Sequence, residues 1–142
     1  PINMTWGIEN RTTAFRIIKG GPSSQRIENR LGGADANPYL ALSATLGAGL
    51  LGIEERTLPS EPIVGGAYNI SVPREQQVPR NLGEASDLFY KSKAARKLFG
   101  ELFVDHFSDT RNWEYTQYQR QRQLLENDKI TTWELSRYFE II

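Results

Sequence analysis

Four arginines, Arg11, Arg16, Arg26 and Arg30, fall within twenty positions, with Lys19 among them. Glu28 lies inside this cluster, and the only other carboxylate before Asp35 is Glu9. A guanidinium is a planar fork of five donors that matches carboxylate and phosphate oxygens and keeps its charge near neutral pH. A group so dense, with so few carboxylates beside it, needs counter-ions. A substrate carrying carboxylate and polyphosphate would supply them. A solvated basic face, or a contact to another subunit, would account for the same residues. Glu28 also has two readings. It can bridge Arg26 and Arg30 as an ordinary ion-pair partner, or it can serve as a hard oxygen ligand for Mg²⁺ or Mn²⁺ bridging phosphate oxygens.

The elements that must position these groups are short. Ala14 to Ile18 reads as a strand, Lys19 to Ser24 with Gly20, Gly21 and Pro22 as a turn, and Gln25 to Arg30 as a returning strand. Alternation puts Arg26, Glu28 and Arg30 on one face and leaves Ile27 to anchor the other. Leu31 to Ala36 is a loop. Asn37-Pro38 then opens a helix, the asparagine as cap and the proline at a position where its missing donor costs nothing. Leu42, Leu46, Leu50 and Ile53 recur at helical spacing, but the three glycines among them weaken the helix by about 1 kcal/mol each relative to alanine. Tertiary burial is therefore expected to hold it.

Residues 57–83, with Pro59, Pro62, Pro73, Pro79 and Gly65-Gly66, read as one long irregular segment. Residues 84–142 read as helical. Leu88, Phe89, Leu98, Phe99, Leu102, Phe103 and Phe107 are the expected buried side, Gly100 a break, and Asp109 the cap of a further helix. Thr131 and Glu134 have capping-box spacing before a last helix carrying Leu135, Tyr138 and Phe139. His106, among Phe103, Val104 and Phe107, reads as structural rather than as a metal ligand.

Lys plus Arg and Asp plus Glu both total 17, a balance that argues against nucleic acid or an anionic membrane as partner. Without cysteine there is no disulfide, thiol catalysis or thiolate metal site, which fits a reducing, cytoplasmic setting. The most apolar stretch, Tyr39 to Ile53, is interrupted by Ser43, Thr45 and glycines and is no membrane span.

Four segments in order carry a resemblance: Asn10-Arg11-Thr12-Thr13-Ala14-Phe15-Arg16-Ile17, Arg26-Ile27-Glu28-Asn29-Arg30, Asn37-Pro38-Tyr39-Leu40 and Gly49-Leu50-Leu51-Gly52-Ile53. Together they resemble the C-terminal part of the glutamine synthetase catalytic domain, and Trp133 to Glu140 resembles the family's closing helix. The resemblance implies an α+β fold, with a small antiparallel sheet packed against several helices. It implies an ATP-dependent ligase that phosphorylates the glutamate γ-carboxylate, with Mg²⁺ or Mn²⁺, and then lets ammonia or an amine displace phosphate.

By the same resemblance, Arg11 would contact the transferred phosphoryl group, Arg16 and Arg26 the nucleotide phosphates, and Glu28 the metal. Arg30 would hold the glutamate side-chain end. The family's other metal ligands and its glutamate-bearing flap precede this segment, so the chain is expected to begin inside a catalytic domain and to be inactive alone. A full-length homo-oligomer with shared active sites is implied as well. Trp6 to Arg11, Glu28 to Asp35 and Tyr138-Phe139-Glu140 resemble the γ-glutamyl-polyamine branch, and Phe15 and Ile18 depart from the ammonia-using pattern. A structural or assembly relative is the non-enzyme alternative, against which the retained arginines and Glu28 argue. Tyr68 stands where some bacterial members carry an adenylylated tyrosine, but with Asn69 after it the residue reads as an ordinary loop tyrosine.

Overall fold

The computed structural model describes residues 1–122 and 130–139. The chain divides into two compact units, Pro1–Val78 and Pro79–Ile142.

The first unit holds three strands, β1 (Trp6–Ile8), β2 (Phe15–Ile18) and β3 (Arg26–Asn29), in the order β1-β2-β3. The β2–β3 hairpin is antiparallel, with Arg16 opposite Glu28 and Ile17 opposite Ile27. The sheet is mixed rather than wholly antiparallel, because β1 runs parallel to β2. A parallel neighbour ordinarily needs a crossover of a dozen or more residues. Here only residues 9–14 intervene between the two strands. The return is so tight because Glu9 takes a left-handed backbone conformation, φ 50°, and residues 10–13 fold into a side-chain-bonded turn. Ile27 does not anchor the far face; it is exposed.

Helix α1 (Pro38–Glu54) starts where the Asn37 side-chain oxygen Oδ1 accepts from the Tyr39 and Leu40 amides. The burial expected to hold it is not supplied by the described residues. Leu42, Leu46, Leu50 and Ile53 are 61, 66, 67 and 76% exposed, and in this helix only Leu51 is buried. After α1 the Pro-rich segment contains two single-turn 3₁₀ pieces, Ala67–Asn69 and Arg74–Gln76. It is strapped to the N-terminal strand region. Trp6 Nε1 donates to Ser60 O, Ile63 N to Trp6 O, Asn3 Nδ2 to Ala67 O, and Asn3 pairs with Gln77 in a β-bridge.

The second unit is helical: α2 (Leu82–Lys91), α3 (Lys93–Phe99), α4 (Glu101–Arg122) and α5 (Thr132–Tyr138). Gly100 breaks the chain as expected, at φ 80°. Asp109 caps nothing, since α4 runs through it without interruption. Phe89, Phe99, Phe103 and Phe107 form a continuous aromatic stack with centroids 5.4–6.1 Å apart. Leu88 and Leu102, expected beside them, are exposed, and so is His106. The Thr131–Glu134 capping box is present at α5. Glu140 lies outside the described residues. Among the described residues no helix is long and apolar enough to cross a membrane.

Candidate active site

The β2–β3 register brings three of the five expected site residues into one ionic network. Arg16 Nη1 lies 3.3 Å from Glu28 Oε2, and Arg26 Nη2 lies 3.1 Å from Glu28 Oε1. Arg26 also donates to Ser24 O, two residues earlier in the turn that leads into β3. Arg30 is not a partner of Glu28 in the way strand alternation suggested. Past the end of β3, its amide donates to Ala14 O, and its half-buried side chain has an Nε with no hydrogen-bond partner. Arg16 Nε is buried and unpartnered as well. Two guanidinium donors thus lie buried without a protein partner.

Glu9, not among the residues expected at the site, joins this network. Its Oε2 lies 2.6 Å from Arg16 Nη2, and its Oε1 accepts the Lys19 amide at 3.0 Å. The Arg16 hydrogen bond is the main cause holding the Glu9 carboxyl below its ordinary pKa, with the Lys19 amide assisting against desolvation. The same bond raises Arg16 further above its ordinary value. The available signal was composition alone: Glu9 and Glu28 are the only carboxylates in the first thirty-four residues.

Arg11 stands apart from the network, exposed on the β1–β2 return. It lines a groove of about 540 Å³ between residues 8–12 and residues 62–66. Glu9 is common to both places, lining the groove and pairing with Arg16. Tyr68, on the first 3₁₀ turn, is 54% exposed.

Glu28 fits a divalent cation as one ligand. Each of its oxygens receives one guanidinium and retains a further acceptor position. Among the described residues no group of three or more His, Cys, Asp or Glu side chains is arranged to hold a metal. The remaining ligands would be phosphate oxygens, water and groups outside this chain, a coordination habit suited to Mg²⁺.

Residues 1–138 match the family model described as the glutamine synthetase catalytic domain. The chain belongs to the glutamine synthetase family. Within it, the chain is 44% identical over its whole length to type-1 glutamine synthetase 2 of Dictyostelium discoideum, covering 26% of that protein. It is 40% identical to a glutamate–isopropylamine ligase of a Pseudomonas species over 99% of the chain and 29% of the relative. A gamma-glutamylethanolamide synthetase of Streptomyces coelicolor is 39% identical over 99% of the chain and 28% of its own length. The chain therefore spans little more than a quarter of these family members.

Proposed function

We propose that the whole protein containing this chain is an ATP-dependent glutamate–amine ligase, and that this chain supplies the phosphate-facing part of its active site. The γ-carboxylate oxygen of glutamate attacks the terminal phosphorus of ATP, the bond to ADP breaks, and an acyl phosphate forms. The amine nitrogen then attacks the acyl carbon, phosphate leaves, and the nitrogen gives up a proton. A free carboxylate resists the second step because oxide or hydroxide is a poor leaving group, whereas phosphate is a good one.

In this reading Arg16 and Arg26 hold the nucleotide phosphates, Arg11 meets the phosphoryl group in transfer, and Arg30 holds the glutamate side-chain end. Glu28 is one ligand of Mg²⁺ or Mn²⁺. The ion, when bound, neutralises charge on the phosphoryl oxygens, an effect fixed arginines share. The observation that carries the reading is the Glu9–Arg16–Glu28–Arg26 network, with buried Nε donors on Arg16 and Arg30 still unpartnered. Ion pairs to protein carboxylates hold Arg16 and Arg26 in place before a ligand arrives, so less ordering is left for the binding step.

The acceptor is proposed to be an organic amine rather than ammonia. Its support is the Trp6–Arg11 and Glu28–Asp35 segments, together with relatives named for isopropylamine and ethanolamide chemistry. Ammonia remains the competing acceptor, given the similarity to a glutamine synthetase. The test is phosphate release by the complete protein with ATP, Mg²⁺ and glutamate against ammonia, short alkylamines, ethanolamine and diamines. Release that needs both glutamate and an amine is expected, with at least one organic amine ahead of ammonia. Preference for ammonia overturns the acceptor assignment. No release with any acceptor, from correctly assembled protein, defeats the ligase reading.

A further inference from the structure

We propose that Asn10 is the positioning residue of Arg11, and that it works by clamping the 62–67 segment onto the turn that carries this arginine. The Asn10 side chain is fully used. Its Nδ2 donates to Ile63 O at 3.1 Å and to Gly65 O at 2.8 Å. Its Oδ1 accepts from the Thr12 amide at 3.0 Å and from Thr12 Oγ1 at 2.7 Å. An amide has two donor hydrogens and two acceptor positions, so no capacity is left over. The reverse orientation would set an oxygen against two carbonyls, so the partners themselves fix which way the amide points.

Thr12 continues the clamp, its Oγ1 accepting the Ala67 amide at 2.8 Å. Thr13 closes the turn from below by donating to Asn10 O at 3.0 Å. Arg11 is thus held between two residues, each tied to the far segment, while its own side chain stays exposed in the groove. Gly7 is part of the same device. A Cβ there would stand 2.9 Å from Asn10 Cβ and 2.9 Å from Ile63 O, closer than real side chains sit. The missing side chain is what lets the Asn10 amide and the Ile63 carbonyl meet.

Asn10's hold on residues 62–67 is independent of the ligase reading, whereas its effect on turnover rests on it. Both are measured on the complete protein. Asn10→Asp keeps the shape but turns two donors into an oxygen facing two carbonyls. Backbone hydrogen exchange across residues 60–67 should then rise by about tenfold or more. With reacting groups displaced by a fraction of an ångström, kcat should fall by about 100-fold, while KM for ATP stays within about threefold.

In an Arg11→Lys background the same change should lower kcat by less than about threefold, because a residue that acts through Arg11 has little left to lose. Gly7→Ala, which leaves Asn10 in place, should raise exchange of the same segment. Should Asn10→Asp not fold, Thr12→Val removes only the hydroxyl shared by Asn10 and Ala67 and should shift exchange and kcat in the same directions. Unchanged exchange, faster exchange at full kcat, or full additivity with Arg11→Lys would each overturn the assignment. Wild-type protein without turnover would overturn the ligase reading instead, and the exchange arm would still decide whether Asn10 tethers the segment.

Discussion

The two units hold themselves together by different means. In the first, most of the residues with the least exposure are small or polar: Asn3, Thr5, Thr13, Ala14 and Ala67. Side-chain-to-backbone hydrogen bonds from Asn3, Trp6, Asn10 and Thr12 link parts of the chain more than fifty residues apart. The second unit relies on the Phe89–Phe99–Phe103–Phe107 stack, drawn from α2, α3 and α4, with Val104 of α4 fully buried. It also buries one carboxylate, Glu114, which accepts from Arg137 at 2.9 Å and from the Tyr138 hydroxyl at 2.7 Å. Both units thus contain a carboxylate that accepts from a guanidinium, in different settings. Glu28 sits at a rim with open acceptor positions, whereas Glu114 is closed in. A carboxylate that is to meet a ligand must stay reachable; one that fastens two helices is better kept from water.

The contrast is sharpest for Glu28→Gln. In the complete protein it should lower kcat by at least about 100-fold, since a neutral amide is a poorer ligand for the divalent ion that would neutralise the phosphoryl oxygens. It should leave the unfolding midpoint unmoved, since partly exposed ion pairs contribute little to stability. A fall in midpoint without a fall in kcat would make Glu28 a strut. Phe107→Ala should do the opposite. It removes two ring contacts and the Arg111 guanidinium stacked 5.3 Å from the ring centroid, and should cost about 3 kcal/mol in urea titration.

Gly100→Ala should cost about 1–2 kcal/mol. No atom lies within 4 Å of the added methyl, so the penalty comes from φ 80° with ψ 159° alone. Circular dichroism melts would show it, and an unchanged melt would mean that the α3–α4 joint relaxes freely. The smallest effect expected is a pH limit on α5. Arg137's hydrogen bond, aided by Tyr138, holds the Glu114 carboxyl below its ordinary value of 4.5. That stability is present above 4.5 and lost as pH falls through the depressed value. Burial, and then the bond to Glu114, push the Tyr138 hydroxyl from 10.0 up to about 12. Its contribution is complete below 10.0 and lost as pH rises through about 12. Trp133, edge-on to Tyr138 at 5.6 Å, reports both limits by fluorescence, and Glu114→Gln should abolish the acid one.

Features governed by local chemistry were legible in the sequence: the Asn37-Pro38 helix start, the Thr131–Glu134 box, the Gly100 break and the β2–β3 hairpin. Alternation within β3 did not supply the register, which sets Arg16 opposite Glu28. What escaped depended on partners distant in the chain. The parallel β1 rests on a turn stabilised by Asn10 and Thr12, whose other partners lie past residue 62. Glu9 reaches Arg16 only because β1 lies beside β2. Asp109 has the right chemistry for a cap, but the uninterrupted ladder of α4 overrides it. Of the candidate site, the residue types could be read directly, whereas the clamp around Arg11 required the fold.

The bare leucine row of α1 has a practical consequence. A stripe of Leu42, Leu46, Leu50 and Ile53 open to water is a surface that detergents, chaperones and column resins will find. When this chain is produced by itself, light scattering should climb with protein concentration and with ammonium sulfate, which strengthens apolar contacts. Replacing Leu46 and Leu50 with glutamine should keep such preparations clear without touching the arginine cluster.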